Sequence, residues 1–284
     1  MARARVAQSQ PLKSKDLFPA VFSRHALAYE RRLEDIMERG EALGRLRVIE
    51  LVAAQPGMRV LDLACGPGTL TRRFALQVSP GGEVVGVDLA PGMIELARAA
   101  GVSNSRFEVM DIEQLSFEDE SFDAAACGHG LQFAARLPIA LREARRVLGP
   151  KARFAASVPV ERTVASTWTV LDAVADRWLG PAPVAIDQSP TRDAIADRKQ
   201  FAQAALDAGF ASADVEVIEE TVRWTSAEQM VLMFTSWWDC AARLDGVDAD
   251  RRRQFTEDAI ATLRREHPGA IETTGRNHVL FATA

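Results

Sequence analysis

Apolar and polar positions follow two alternating periodicities in the first half of the chain. Short apolar runs typical of buried strands occur near residues 59–64, 83–88, 106–110, 122–127 and 152–158. The segments between them carry apolar residues at helical spacing, as Leu70, Phe74 and Val78 do. This alternation predicts a parallel sheet with helices on both faces and right-handed crossovers.

Two helices are predicted before the first strand. Apolar residues from Phe18 to Ile36 recur at loosely helical spacing with Gly40 as a stop, and a second helix is expected from about Glu41 to Ala54. Residues 1–14 lack such a pattern, and we expect them to form a loose tail.

The alternation ends after Val158. An apolar helical stretch containing Trp168 and Trp178 is followed by a proline-rich loop, which together occupy residues 159 to about 196. Farther along, the pattern predicts a helix over 197–208, a strand over 214–224, a helix over 230–244, a helix capped by Asp248 and a last strand over 277–282.

The most informative segment is the turn after the first strand, where an apolar run ends in Cys65-Gly66-Pro67-Gly68. A strand, a glycine turn and a helix in this order bind nucleoside cofactors in open α/β sheets, because glycine lets a ligand approach the backbone closely. The third glycine of a dinucleotide fingerprint would fall at Thr71, and no phosphate-binding Gly-Lys-Ser/Thr follows. Both absences argue against an NAD-dependent oxidoreductase and against nucleoside triphosphates.

Asp88 ends the second strand 22 residues after Gly66. A carboxylate at about this separation binds the ribose diol of a nucleoside in such folds. The alternative interpretation of Asp88 is an N-cap for the helix that starts near Pro91. A nucleoside without a pyrophosphate fits the turn and the carboxylate best.

Residues 57–158 resemble the class I S-adenosylmethionine-dependent methyltransferases, in particular the small-molecule branch of the ubiquinone/menaquinone-biosynthesis C-methyltransferases. The resemblance rests on four segments in the family's order, namely 61–68, 84–93, 110–115 and 121–148. Two departures are Ala64 in place of the usual glycine and Gly149-Pro150-Lys151-Ala152 in place of a Pro-Gly-Gly turn.

The resemblance implies a Rossmann-like, doubly wound α/β sheet of seven strands whose last strand is antiparallel. It also implies an amino-terminal helical lid and a helical cap. We therefore divide the chain into a tail (1–14), a helical lid (15–56), a cofactor-binding core (57–158), a cap insertion (159–196) and a C-terminal part of the core with an edge hairpin and further helices (197–284).

S-adenosylmethionine is the cofactor that the resemblance implies. Asp62 would help to hold its amino group, Asp88 its ribose hydroxyls and Asp111 its adenine amino group, with the Ile112 amide on a ring nitrogen. The full set of expected cofactor contacts is Asp62, Ala64, Cys65, Gly66, Gly68, Asp88, Leu89, Met93, Asp111, Ile112, Cys127 and His129.

Candidates on the acceptor side are fewer. His129 follows the fourth strand, and its ordinary pKa of about 6.5 suits proton abstraction; a structural or cofactor-carboxylate contact is the alternative. Tyr29 and His25 lie in a segment that resembles the lid of quinone-type methyltransferases, so Tyr29 would close over the cofactor or simply pack, and His25 could be a second base. The expected substrate contacts, with core packing as the alternative, are Trp168, Trp178, Trp237 and Trp238.

Composition narrows the partners. A net charge of −5 and a pI near 5.5 argue against a nucleic-acid substrate, which needs a basic surface. Three widely separated cysteines suit neither a disulfide framework nor a zinc site, so we expect no metal, reduced thiols and a cytoplasmic location. No window approaches the roughly 18 apolar residues of a membrane span, and the N-terminus lacks a secretory signal.

The sequence therefore predicts a methyltransferase that acts at carbon or oxygen of a small, fairly apolar acceptor with aromatic or isoprenoid-like character. The alternative is an enzyme of secondary metabolism, such as a pericyclase, that binds S-adenosylmethionine without transferring its methyl group. The identity of the acceptor, the use of a general base and the formation of a homodimer are left open.

Overall fold

Seven strands form one sheet in a computed structural model that describes residues 14–162, 167–180, 190–236, 238–244 and 246–284. The strands are β1 (Arg59–Leu63), β2 (Glu83–Asp88), β3 (Ser105–Val109), β4 (Phe122–Gly128), β5 (Leu148–Arg162), β6 (Ser212–Trp224) and β7 (Ile271–Thr283). Their order is β3-β2-β1-β4-β5-β7-β6, and β7 runs antiparallel to both of its neighbours. The predicted fold class, with its antiparallel last strand, is confirmed.

The helices of the described residues agree with the predicted order, with two changes in extent. They are α1 (Ser14–Glu38), α2 (Leu43–Val52), α3 (Thr69–Val78), α4 (Pro91–Ala99), α5 (Leu137–Val147), α6 (Thr167–Leu179), α7 (Pro190–Ala196), α8 (Arg198–Asp207), α9 (Ala227–Ser236), α10 (Trp238–Leu244) and α11 (Ala249–Glu266). The single helix expected over 230–244 is two helices, and a helix begins at Pro190, where a loop was expected. The expected tail (1–14) lies almost entirely outside the described residues.

Strand alternation divides the core between the two faces of the sheet. Leu61 and Leu63 pack with residues of α5 and α8, whereas Val60 packs with Phe74 of α3 and Val48 of α2. Because successive side chains of a strand point to opposite faces, one apolar run contributes side chains to the cores on both faces of the sheet. The apolar runs in the sequence are the consequence of a sheet that is covered on both sides.

A third apolar core lies among the C-terminal helices. α6 contributes Trp168 and Leu171, α11 contributes Phe255, and the adjoining ends of β6 and β7 contribute Trp224 and Ile271. The ring of Trp168 packs edge-on against that of Trp224, with centroids 5.4 Å apart. The predicted cap segment thus packs with α9, α10 and α11, and the boundaries of the five segments stay predictions.

The strand order reverses between β1 and β4, and this creates a crevice at their carboxyl ends. β2 and β3 extend the sheet on one side of β1, whereas β4 and β5 extend it on the other, all in parallel. The loops that follow β1 and β4 therefore diverge, and such a switch point is where open α/β sheets bind ligands. None of the described helices is both long and apolar enough to cross a bilayer.

The helix α1 closes this crevice and is tied to α3 by a cluster of charges. The carboxylate of Glu34 accepts a hydrogen bond from the Thr69 hydroxyl at 2.7 Å and from the guanidinium groups of Arg72 and Arg73. Arg72 also donates to the carbonyl of Pro67 at 2.7 Å. One carboxylate therefore links the lid to the glycine turn after β1.

We predict that Glu34→Ala destabilises the lid more than any other single truncation on its polar face. Loss of charge-assisted hydrogen bonds should lower the free energy of unfolding by about 1–3 kcal/mol, and proteolysis within residues 14–38 should accelerate. The matched control is Glu38→Ala, which removes an exposed carboxylate of the same helix. Equal unfolding temperatures and equal proteolysis rates for the two variants would contradict the anchoring role of Glu34.

Candidate functional site

One cleft occupies the crevice between the carboxyl ends of the strands and α1. It encloses about 940 Å³, including the part open to solvent. Every expected cofactor contact except Gly68 and Cys127 lines it. The structure therefore brings these residues together in one cleft, and their contacts with a cofactor stay predictions.

The turn after β1, called the glycine loop (residues 64–68), contains three left-handed residues. Ala64, Gly66 and Gly68 have φ values of 53°, 55° and 82°. A Cβ at Gly68 would lie 2.9 Å from the ring of Phe107, so only glycine fits there. Ala64 is strained by about 1–2 kcal/mol in this conformation, and its Cβ occupies the space that Gly130 leaves free, since a Cβ on Gly130 would lie 2.4 Å from it.

Asp88 fastens the glycine loop to the tip of β2. Its Oδ2 accepts a hydrogen bond from the Gly66 amide at 2.9 Å, and its Oδ1 accepts one from the Ala90 amide at 2.8 Å. Burial raises the pKa of Asp88 above its usual value, although these backbone donors oppose the effect. The Ala90 contact lies next to the start of α4, so Asp88 organises both the loop and the helix entry.

Asp62 is a nearly inaccessible carboxylate in the floor of the cleft. It is 1% exposed and accepts a hydrogen bond from the hydroxyl of Thr71 at 2.6 Å. Burial raises the pKa of Asp62 to about 7, with the charge of Asp88 adding to the effect and the Thr71 hydrogen bond opposing it. Thr71, which breaks the dinucleotide fingerprint, thus supports the acidic residue of the floor.

Lys15 of α1 occupies the end of the cleft at Asp111. Its Nζ lies 2.5 Å from Asp111 Oδ2 and 3.0 Å from Glu113 Oε2, and Asp111 Oδ1 accepts a hydrogen bond from the Glu113 amide at 2.9 Å. Sequence reasoning missed the ion pair between Lys15 and Asp111, because Lys15 borders a segment that has no periodic pattern.

His129 lies at the end of β4 with a left-handed backbone, at φ 62°. Its amide donates to the Ser157 carbonyl at 2.9 Å, and its Nε2 is enclosed without a hydrogen-bond partner. Burial and the charge of Arg45 lower the pKa of His129 well below its usual value, and hydrogen bonding with Asn277 offsets this only in part. The imidazole is therefore neutral at pH 7, and it is a weak base.

Arg45 and Tyr29 form the inner wall that faces the glycine loop. Arg45 Nη2 donates to the Tyr29 hydroxyl at 3.1 Å, and the Tyr29 ring passes 4.0 Å from the position of a Cβ on Gly66. Sequence reasoning missed Arg45, because a basic residue on a helix is usually exposed. The available signal was its spacing, which places Arg45 on the same face of α2 as the buried Val48 and Val52.

An aromatic wall (Phe18, Phe22 and Phe133) forms the apolar side of the cleft. The Phe133 ring lies edge-on to those of Phe18 and Phe22, with centroids 4.9 and 5.2 Å apart. Phe22 also packs edge-on against Tyr29 at 6.0 Å. Two of the three rings belong to α1, so the lid itself supplies the apolar contact surface.

Of the residues that the sequence proposed for the acceptor side, His129 and Tyr29 line the cleft, whereas the other described candidates lie elsewhere. Trp168 is 7% exposed in the third core, and Trp178 donates its indole N–H to Asp258 at 2.7 Å. Trp237 and the side chain of Trp238 lie outside the described residues. His25 is half-buried on α1 and is not part of the cleft lining, and Cys127 is fully buried beneath the cleft, where burial raises the pKa of its thiol to about 12.

Residues 61–156 match the family model described as a methyltransferase domain. The chain is 34% identical over 212 residues to the 2-phytyl-1,4-naphtoquinone methyltransferase of Trichormus variabilis, which covers 68% of this chain and 90% of that protein. It is 37% identical over 148 residues to a ubiquinone/menaquinone biosynthesis C-methyltransferase of Ectopseudomonas mendocina, which covers 50% of this chain and 56% of that protein.

Solved structures share the fold at low identity. A putative methyltransferase of Bacillus halodurans superposes with a TM-score of 0.53 at 18% identity, over 84% of this chain and 97% of that chain. The YcgJ protein of Bacillus subtilis superposes with a TM-score of 0.52 at 21% identity and the same coverage. At these identities the likeness concerns the fold alone.

We predict that Asp62 makes the stability of the free protein depend on pH. Its folded-state pKa of about 7 exceeds the usual value of 3.8, so protonation favours the folded state. The stabilising contribution is complete below about pH 4 and is lost as the pH rises through 7. The difference in unfolding free energy between wild type and Asp62→Asn should therefore fall by about 2–4 kcal/mol between pH 5 and pH 8.

Chemical denaturation of both proteins across this pH range measures the difference. Thr71→Val serves as a second variant, since it removes the hydroxyl that stabilises the charged carboxylate and should shift the transition to higher pH. A difference between wild type and Asp62→Asn that stays constant from pH 5 to pH 8 would show that Asp62 is fully ionised throughout.

Proposed function

The chain belongs to the S-adenosylmethionine-dependent methyltransferases, as predicted from its sequence, and we propose that it methylates an apolar, quinone-like ring in its reduced, hydroxyl-bearing form. S-adenosylmethionine is its cofactor. A methyl group leaves the cofactor without its bonding electrons, so the acceptor must supply an electron pair. A hydroquinone ring is electron-rich at carbon and oxygen, whereas the oxidised quinone is electron-poor.

The residues of the cleft fit the cofactor. The left-handed glycine loop leaves its backbone open on the side of Gly66, and the buried carboxylate of Asp62 and the half-buried carboxylate of Asp88 lie along the adjoining strand ends. We propose that Asp62 holds the ammonium group, Asp88 the ribose hydroxyls and Asp111 the adenine amino group. When bound, S-adenosylmethionine supplies an electrophilic methyl group on a sulfonium.

The aromatic wall is the single observation that carries the acceptor class. Its rings come from α1 and from the short helix Leu131–Phe133, and they lie in the same cleft as the glycine loop. A flat apolar ring would pack against these edges and exclude water, which suits a quinone nucleus better than a charged amine. Support also comes from the relatives, whose names refer to naphthoquinone and to ubiquinone/menaquinone biosynthesis.

Positioning accounts for most of the catalysis that this cleft can offer. Holding two reactants in line can lower the barrier by about 7–11 kcal/mol, and no strong base is needed for that part. The neutral His129 can accept a hydrogen bond from an acceptor hydroxyl or take up its proton transiently, although its lowered pKa makes it a poor general base. His129 therefore orients the acceptor in this proposal.

The proposal is tested with methyl-labelled S-adenosylmethionine and 2-phytyl-1,4-naphthoquinone that has been chemically reduced. We expect the label to appear in the ring product together with one equivalent of S-adenosylhomocysteine. The oxidised quinone is the matched control and should remain unlabelled. Tight binding of S-adenosylmethionine without its consumption by the reduced acceptor would favour an enzyme that binds the cofactor without transferring its methyl group.

We predict that Asp88→Ala reduces affinity for S-adenosylhomocysteine by at least about 100-fold, because the ribose contacts and the clamp on Gly66 are both lost. Calorimetric titration measures the affinity. Since Asp88 also binds two backbone amides, the variant should unfold at a lower temperature than wild type. Retained affinity in a folded variant would contradict the ribose assignment.

We predict that Phe133→Ala raises the KM for the acceptor by about 10-fold, since removal of this half-buried ring forfeits part of the roughly 1.5–3 kcal/mol that a fully buried aromatic side chain contributes. The affinity for S-adenosylhomocysteine should change little. Trp178→Phe, which alters a ring outside the cleft, is the control and should leave both constants unchanged. A larger effect of Trp178→Phe on the acceptor KM would move the acceptor site to the tryptophans that the sequence suggested.

A further inference from the structure

Arg45 is a buried cation that forms no ion pair with any carboxylate in the part of the chain that the structure describes. Arg45 is 7% exposed. Its Nη2 donates a hydrogen bond to the hydroxyl of Tyr29, which is uncharged, and its Nε is buried without a hydrogen-bond partner among the described residues. Among the described residues, two other arginines are buried, at 5% and 8% exposure, and both are paired, Arg32 with Asp35 and Arg243 with Asp176. An unpaired buried charge costs several kcal/mol, so the arrangement around Arg45 lacks an anion.

The charged side chains of the cleft show where that anion belongs. Asp62, Asp88, Asp111 and Glu113 are acidic, and the cations are Lys15 and Arg45. Lys15 is engaged by Asp111 and Glu113 at the far end of the cleft. Among the described residues no carboxylate forms an ion pair with Arg45, so it is the cation that a bound anion can satisfy.

Strand order fixes the sequence of these groups along the cleft. Asp111 follows β3, Asp88 ends β2, Asp62 lies in β1 and Gly128 ends β4, and these four strands are adjacent in that order. Arg45 is next to the last of them, because its Cγ lies 3.7 Å from the position of a Cβ on Gly128. Arg45 therefore lies at the opposite end of the row from Asp111.

S-adenosylmethionine presents its groups in the same order, which is adenine, ribose and then the amino acid with its ammonium and carboxylate. Asp111, Asp88 and Asp62 account for the adenine, the ribose and the ammonium group, and none of these carboxylates can bind the cofactor's own carboxylate. We propose that Arg45 binds the α-carboxylate of the cofactor, with Tyr29 holding the guanidinium from behind. This inference rests on the proposed contacts of Asp62, Asp88 and Asp111.

The proposal is tested by titrating the full-length protein with three ligands that differ only in the tail. These are S-adenosylhomocysteine, its decarboxylated analogue 5′-deoxy-5′-(3-aminopropylthio)adenosine, and methylthioadenosine. Arg45→Met should lower the affinity for S-adenosylhomocysteine by about 10–100-fold, which is the usual loss for a charge-assisted contact. Its affinity for the other two ligands should stay within about 3-fold of wild type, because neither carries a carboxylate.

Two further variants separate this role from a structural one. Arg47→Met alters an arginine of the same helix that is paired with Glu216 outside the cleft, and it should leave the three affinities unchanged. Arg45→Lys keeps the charge and should recover part of the S-adenosylhomocysteine affinity. Without ligand, Arg45→Met should unfold at a temperature equal to or above that of wild type, since it removes an unpaired buried charge.

Three outcomes would overturn the proposal. An equal loss of affinity for all three ligands would mean that Arg45 only supports the cleft. Unchanged S-adenosylhomocysteine affinity with a raised acceptor KM would place the guanidinium on an oxygen of the acceptor instead. Unchanged affinity and unchanged KM would leave Arg45 without a ligand role. Failure of wild type to bind S-adenosylhomocysteine would instead overturn the proposed function.

Discussion

The site depends on one backbone constraint, which is that the chain must turn sharply where β1 ends and leave its amides accessible. Three left-handed residues make that turn, and Asp88 holds it because its Oδ2 accepts a hydrogen bond from the Gly66 amide at 2.9 Å. The turn is possible only because neighbouring side chains are absent or small, as at Gly68 against Phe107 and at Ala64 against Gly130. The cleft, its acidic floor and the lid above it are all arranged around this loop.

Electrostatics gives the cleft its polarity. Asp62 is buried and Asp88 is half-buried beside it, and this burial raises the pKa of both carboxyl groups above the usual value. A ligand with a cationic group and hydroxyl groups would stabilise these carboxylates, whereas the guanidinium of Arg45 requires an anionic group. One zwitterionic nucleoside can therefore compensate the unfavourable burial of the carboxylates and of the guanidinium at once. The same physics excludes a pyrophosphate, which would meet a row of carboxylates.

Most of the core could be predicted from the sequence, because strand and helix periodicities, the glycine turn and the carboxylates at the strand ends are local signals. The lid contacts could not. Lys15, Phe18 and Phe22 enter the cleft only because α1 folds back across the strand ends, and no spacing within α1 reveals that. The tryptophans attracted attention by composition, whereas Trp168 and Trp224 form a core with the C-terminal helices. Arg45 was missed because its burial depends on the packing of α2 on the sheet.

A single helix serves every part of the cleft. From its start to its end, α1 contributes Lys15 at the Asp111 end, two rings of the aromatic wall, Tyr29 beside Arg45, and Glu34 as its anchor on α3. One helix therefore joins the contacts that we propose for the donor to those that we propose for the acceptor. A substitution that moves α1 would affect both sets of contacts, so acceptor preferences that change through α1 are limited by the need to keep cofactor affinity.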